Sequence, residues 1–405
     1  MLRKIYIAIV VSLWVSSAWA QQPAIFSPQH LPRLKRGLQA VYSLEHDRAI
    51  AEYKTLIREN PDDPLGYVFV AKAYWLKELV VKQELSIDRF AASDFFAESP
   101  RYTPEVDPES ETLFREASDQ GAEKARALLA RNPEDPRALF LLGMAYQNVA
   151  SFEASLKRAW WASFRAGSKS NRYHKELLDR YPNFYDAYLT RGVFNYVTGS
   201  LGWETRWLAC VLGHCGEKSR GREQLRITAD RSELFGDDAR VLLALIYTRE
   251  RRYQAAFDEL SALLKRYPQN YLVHMDMGGI ALLMRRPEAA LTIYRDVLRK
   301  VETRQDRYER LETATVLNRL GAAFRQKGDL QASVLHFEQA LAQPNRSTHA
   351  RVVSALELGK TYDVMGQRDR ALQHYQQVLA LDDFADSRGE ARDLIDRPYR
   401  EARVR

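Results

Sequence analysis

The 405-residue chain is predicted to be all-α, an α-solenoid of antiparallel helix hairpins. Three observations predict it. First, a small residue is followed twelve positions later by another, then four later by an aromatic or Leu. This recurs as Gly37–Ala49–Tyr53, Ala244–Ala256–Leu260, Gly278–Ala290–Tyr294, Gly321–Ser333–Phe337 and Gly359–Ala371–Tyr375. Second, a proline stands ten positions before the first small residue at Pro61–Ala71, Pro133–Gly143, Pro182–Gly192 and Pro268–Gly278. Third, apolar residues between these marks recur at helical period, as Val241, Ala244 and Tyr247 do, then Ala256, Leu260 and Leu263. Two antiparallel helices approach closely only where a small side chain sits at the crossing, so the first small residue belongs to helix A and the second to helix B. "RERR" turns the chain between them, and Pro268 stops helix B from continuing.

At this spacing the chain resembles the tetratricopeptide repeat (TPR) family, whose unit is about 34 residues. Ala244 to Gly278 spans 34 positions, Gly278 to Gly321 spans 43 and Gly321 to Gly359 spans 38, so "VETRQDRYER" and "PNRSTHA" carry extra turn residues. The resemblance implies a right-handed superhelix whose A helices line a concave face. It covers 237–383 most strongly, and 33–75 and 122–196 more loosely.

In chain order, residues 1–20 read as a signal peptide: Arg3 and Lys4, the apolar run Ile5–Val15, then Ala18-Trp19-Ala20 at the cleavage register. The run is short for a membrane span. An uncleaved anchor is the alternative. Residues 21–32 read as a flexible lead-in. Residues 33–232 read as an irregular TPR-like region with insertions at 97–110 and 198–221. Within it, 151–180 reads as one long basic helix B in which Trp160 and Trp161 are buried, while Lys157, Arg158, Arg165, Lys169, Arg172 and Lys175 face water. Residues 233–383 read as the regular array, and 384–405 as a polar helix capping its last apolar face. This order, with "YDAYL-x-x-G" and a Trp- and Gly-containing insertion, is similar to a group of exported bacterial TPR proteins. That similarity implies no particular activity.

Without Arg3 and Lys4 the formal charge falls from +7 to +5. Basic and acidic residues alternate as on a solvated helix face. No aromatic-plus-basic motif points to nucleic acid. The eight histidines form no His-x-x-x-His or His-Glu-x-x-His pair, and no phosphate loop, nucleophile elbow or dinucleotide motif occurs. The sequence therefore predicts no catalytic residue, no cofactor and no enzyme. The acidic pairs Asp62-Asp63, Asp237-Asp238 and Asp382-Asp383 read as charges favoured at helix N-termini.

The expected partner is another protein or peptide. Helix phase points Thr248, Arg249, Asn318, Arg325, Gln326, Lys360 and Asp363 into the groove, with an apolar step at Met275, Leu282 and Leu283 between them. The second candidate surface is the 198–221 insertion. Trp203 and Trp207 share a stripe there, which either packs inward or touches a membrane surface or cell-wall polymer. Cys210 and Cys215 either form a disulfide after export, remain as two buried thiols, or join His214 around a metal.

Overall fold

A computed structural model describes residues 25–82, 87, 103, 105–201, 215–344, 346–383 and 386–400. Among these residues the structure is helical throughout. In chain order the helices are α1 Leu31–Tyr42, α2 His46–Glu59, α3 Pro64–Val81, α4 Pro108–Arg131, α5 Pro136–Ser155, α6 Trp160–Arg180, α7 Tyr188–Ser200, α8 Lys218–Arg231 and α9 Gly236–Arg249. They continue as α10 Tyr253–Arg266, α11 Tyr271–Leu283, α12 Pro287–Glu302, α13 Thr313–Lys327, α14 Leu330–Ala342, α15 Thr348–Val364, α16 Arg368–Leu379 and α17 Ser387–Asp396. Each helix packs on its neighbour in sequence, and packing that skips a helix joins α1 to α3, α3 to α5, α7 to α9, α11 to α13, α13 to α15 and α15 to α17. The odd-numbered helices therefore line up in three runs, α1–α3–α5, α7–α9 and α11–α13–α15–α17, with the even-numbered helices packed beside them.

Helix starts follow from local chemistry. Asp63, Asp107 and Asp135 cap α3, α4 and α5, each followed by Pro at the first helical position. The Asp135 carboxylate accepts the Arg137 and Ala138 amides at 2.9 and 3.0 Å. The acidic pairs are thus put to more specific use than helix-dipole charge. Asp63 caps, Asp237 binds Arg266 and the Tyr267 hydroxyl, Asp238 pairs with buried Lys72, and Asp383 accepts the Ser387 hydroxyl and the Arg388 amide.

The hairpins close with one geometry. Seven positions after the crossing residue, the chain turns through a left-handed residue: Leu44, Arg251, Arg285, Gly328 and Gly366. The next amide then bonds back five residues: Glu45 to Ala40, Arg252 to Tyr247, Arg286 to Ala281, Asp329 to Phe324 and Gln367 to Tyr362, at 2.8–3.0 Å. This is the Schellman ending, in which a left-handed residue lets the last carbonyls of the helix find donors. Only Gly328 and Gly366 are glycine, although a side chain in that conformation costs about 1–2 kcal/mol. Arg285→Gly is therefore expected to raise stability by about 0.5–1 kcal/mol, after the greater chain entropy of glycine is set against the relieved strain. A urea titration of the full chain reads this directly, and a lower midpoint would contradict it.

The small residues at the crossings act as predicted. A Cβ built on Gly37, Gly278, Gly321 or Gly359 would fall closer than 3.0 Å to the ring of Tyr53, Tyr294, Phe337 or Tyr375, the residue sixteen positions on. In the irregular half the same close approach is kept by other means. Gly143 meets the His174 ring, and Gly192 meets Leu225.

Five sequence expectations change. The lead-in is packed where it is described: Ile25 and Phe26 are buried, and Phe26 meets Phe140 edge-on at 5.5 Å and Phe184 at 6.1 Å. The helix expected over 151–180 is broken. α5 ends at Ser155, and α6 begins at Trp160 after a turn through left-handed Arg158, which is buried rather than solvated. Trp161 is 70% exposed, because the break rotates it off the packed face. Of the insertion expected over 97–110, Pro108 onward is already helix, capped by Asp107. Residues 1–24, 202–214 and 401–405, holding the signal segment, Trp203, Trp207, Cys210, His214 and the last residues of the cap, lie outside the described residues.

Candidate interaction surface

Two features define the surfaces a partner would meet. The first is closure of the chain on itself. The α1–α2 turn docks against the ends of α10, α11 and α12. Tyr42 stacks on Tyr267 at 5.2 Å. The Asn270 amide donates to the Tyr42 carbonyl at 2.8 Å, and Gln269 donates to the Ser43 hydroxyl at 2.7 Å. Arg307 pairs with Glu45 at 2.7 Å. Leu44 is buried with Tyr271, Val297, Val301, Tyr308 and Val316. Deeper in, the Lys72 ammonium lies over the Phe235 ring at 4.5 Å. The same ammonium pairs with Asp238, and separating that buried pair would leave an uncompensated charge. A gap of about 270 Å³ remains beside the contact, lined by Lys35, Gln39, Tyr42, Glu233, Asp237 and Arg266 among others. The face of α9 to α12 that meets α1 is thus occupied by the chain's own first hairpin.

The second feature is the far end of the last run of odd-numbered helices, where α13, α15 and α16 meet the segment after α17. Arg325 on α13 pairs with Glu357 on α15 and donates to the Glu357 carbonyl and the Thr361 hydroxyl, both at 3.2 Å. Lys360 holds Glu357 and Glu390, each at 2.7 Å. The Asp363 carboxylate, 1% exposed, accepts Arg368 at 2.9 and 3.0 Å and the Tyr375 hydroxyl at 2.8 Å. It also accepts the backbone amide of Tyr399 at 2.8 Å. The Tyr399 ring in turn faces Arg325 at 5.5 Å and Lys360 at 5.8 Å. Arg368 ties down the end of α17 through the Leu394 carbonyl at 2.9 Å.

The electrostatics follow from this packing. Burial pushes the Glu357 carboxyl up, but Arg325 and Lys360 outweigh it and hold the pKa at about 2. Burial lowers the pKa of Lys360, and Glu357 and Glu390 more than restore it, leaving it raised. A depressed carboxyl contributes stability above its unfolded pKa and loses it as the pH falls through the folded value. The contribution of Glu357 should therefore be complete above about 4.5 and disappear towards about 2. Glu357→Gln is expected to lower the urea midpoint at pH 7, with the gap from the unsubstituted protein narrowing as pH falls through that window. A gap independent of pH would show that the charge is not what matters.

The residues that sequence phase placed in the groove sort differently in the structure. Arg325, Lys360 and Asp363 do come together, but as a network within the chain. Thr248 is 4% exposed and donates to the Ala244 carbonyl at 2.8 Å, so it is no surface contact. Asn318 is a buried staple between α13 and α15, donating to the Ala350 carbonyl at 3.2 Å and accepting from Ser354 at 2.7 Å. Gln326 bridges to the Leu282 carbonyl at 3.1 Å. Arg249 is partly exposed near the end of α9 and is not free of partners. Helix phase identifies which side of α13 faces the other odd-numbered helices, but α15 already covers it at Asn318 and α11 at Gln326, whereas Thr248 turns back onto its own helix. Leu283, 41% exposed at the end of α11, is the part of the apolar step that stays open. No helical periodicity or motif singles out Tyr399.

Burial also accounts for three of the scattered histidines, lowering the pKa of each to about 4 in His46, His174 and His274. His274 bonds the Tyr308 hydroxyl at 2.8 Å and His174 bonds the Phe140 carbonyl at 3.0 Å, as neutral core residues do. Among the described residues no group of three or more His, Cys, Asp or Glu is arranged to hold a metal. Cys215 is disulfide-bonded. No described helix is long and apolar enough to cross a membrane.

Comparison with known proteins agrees with this architecture. Three family models, each described as Tetratricopeptide repeat, match residues 115–159 with 216–271, residues 269–346, and residues 354–387. No curated protein matches. Among solved structures the chain is similar to the human IFIT1 dimer with PPP-AAAA at 12% identity and a TM-score of 0.42, over 91% of this chain and 84% of that one. It is also similar to the APC/C hetero-tetramer Cut9-Hcn1 at 16% identity and a TM-score of 0.38, over 87% of this chain and 59% of that one. With hairpins closed by one turn geometry, glycine-to-ring crossings and three matching repeat models along its length, the chain belongs to the tetratricopeptide repeat family.

Proposed function

We propose that this protein is an exported, non-enzymatic scaffold of the periplasm or cell envelope that holds another protein against the odd-numbered helices of its last repeats. TPR arrays serve as protein-interaction scaffolds, and the observation that carries the local assignment is the cluster of Arg325, Glu357, Lys360 and Asp363. These side chains are locked by one another into a fixed pattern of charge beneath residues 397–400, while Leu283 stands open at the end of α11, whose Leu282 carbonyl meets Gln326 next to Arg325. A surface ordered before binding loses little side-chain entropy when a partner arrives. Export rests on the charge and apolar pattern of residues 1–20. It is checked by N-terminal sequencing of the mature protein, which should begin at Gln21.

Photo-crosslinking in cells tests the scaffold, with probes at Leu283 and at Trp161. A discrete protein trapped at Leu283, and competed away by excess unlabelled chain, is the expected result. A second reading is favoured by Trp161, which stands exposed on basic α6 in the manner of an interfacial anchor. Lipid or glycan trapped at Trp161, with nothing trapped at Leu283, would move the assignment to an envelope-surface adaptor.

A further inference from the structure

The C-terminal segment lies across the cluster just described in the way a ligand would. α17 ends at Asp396, and Arg397 leaves it with extended backbone angles of −133° and 113°. Among its described residues the tail meets the cluster through Tyr399. The Tyr399 amide is given to Asp363, and the ring is laid against the cationic groups of Arg325 and Lys360. Arg397, Pro398 and Arg400 point to solvent, and Tyr399 is half-buried. Cation–aromatic contacts at such part-exposed positions are individually weak. The tail is thus held weakly as a set of contacts and strongly only because it is tethered.

Resting on the scaffold reading, we propose that α13, α15 and α16 form a seat for an extended segment of a partner protein carrying an aromatic side chain. Residues 397–400 occupy that seat in cis. The chemistry of the seat is defined by what now fills it. Asp363 accepts one backbone amide, a recognition any extended peptide can satisfy. The paired faces of Arg325 and Lys360 select an aromatic ring beside it. Both cations are already neutralised by Glu357 and Glu390, so the seat favours a ring over a free carboxylate. A tethered tail competes at an effective concentration on the order of millimolar. A partner must therefore outcompete it, and the tail sets a threshold for engagement.

The test uses the full chain, its Tyr399→Ala variant and a fluorescent peptide copying residues 394–405. Anisotropy is expected to show the peptide binding Tyr399→Ala about tenfold or more tighter than the unsubstituted chain. Replacing the tyrosine of the peptide by alanine, or Lys360 of the protein by glutamine, should remove that gain. Equal binding to both chains, or no binding to either while both melt at the same temperature, overturns the tail as an occupant. Crosslinking from Leu283, run in parallel, separates the two levels. A partner trapped equally by both chains keeps the scaffold and removes the gate, whereas no trapped protein from either removes the scaffold itself.

Discussion

Asp186→Ala is expected to lower the stability of the array by roughly 3–6 kcal/mol, because it strands two buried backbone donors and a third that is part-buried. The Asp186 carboxylate is 3% exposed and accepts the amides of Glu233, Leu234 and Phe235 at 3.1, 2.9 and 3.1 Å. Those residues form the corner between α8 and α9, where the irregular half meets the regular repeats. The same corner delivers Phe235 to Phe69 at 5.9 Å and Phe140 at 6.2 Å, and gives Lys72 its aromatic face. Loss of the carboxylate should therefore loosen the contact with α3 as well as the corner. Asp186→Asn is the informative intermediate. One oxygen can still accept the Leu234 and Phe235 amides, while the new NH₂ faces the Glu233 amide, donor against donor. About half the loss is expected. Urea unfolding gives the total, and hydrogen exchange at 233–235 localises it, which matters because repeat arrays need not unfold in one step. A loss under about 1 kcal/mol for the alanine variant would mean that water replaces the carboxylate.

What the sequence disclosed about such features depended on how far apart the interacting parts lie. Hairpins were legible because their terms are local. Gly278 and Tyr294 are sixteen positions apart on two helices joined by a short turn, and the spacing alone implies the contact. The same contact at Gly143 was not legible. Its ring is His174, displaced by the break at Leu156–Ala159 between α5 and α6, so no fixed spacing announces it. Asp186 sits in the "YDAYL" motif singled out from sequence, yet its partners are main-chain amides 47–49 positions away. Backbone donors carry no residue signature. Closure of the first hairpin on α10 to α12 was hidden for a related reason. Tyr42, Ser43 and Leu44 read as an ordinary turn, and only the superhelical path brings Tyr267, Gln269 and Asn270 beside them. For the candidate site, phase put Arg325, Lys360 and Asp363 on one side of their helices, and the structure ties them into a network within the chain rather than leaving them in an open groove. The segment that covers them is polar and irregular, and periodicity has nothing to say about where such a segment rests.

Gly278→Ala tests the principle on which the whole reading stands, that a missing side chain is what lets each hairpin close. The added methyl would fall closer than 3.0 Å to the Tyr294 ring, which is 0% exposed and cannot swing into solvent. The helix pair must then separate or the ring must leave its rotamer, and overpacking of this kind is expected to cost about 3 kcal/mol. Two further variants separate this cause from any general intolerance of change. Gly167, in α6, would place a Cβ 3.8 Å from the Ala150 Cβ, an ordinary contact. Gly167→Ala should leave stability unchanged or raise it by about 0.5–1 kcal/mol through helix propensity. Tyr294→Leu shortens the side chain that the new methyl strikes. Combined with Gly278→Ala, it should cost less than the sum of the two single changes by about 1–2 kcal/mol, since each relieves part of the other. Additive losses would show that the two residues do not meet. A loss in Gly167→Ala as large as in Gly278→Ala would show that glycine is required for something other than room.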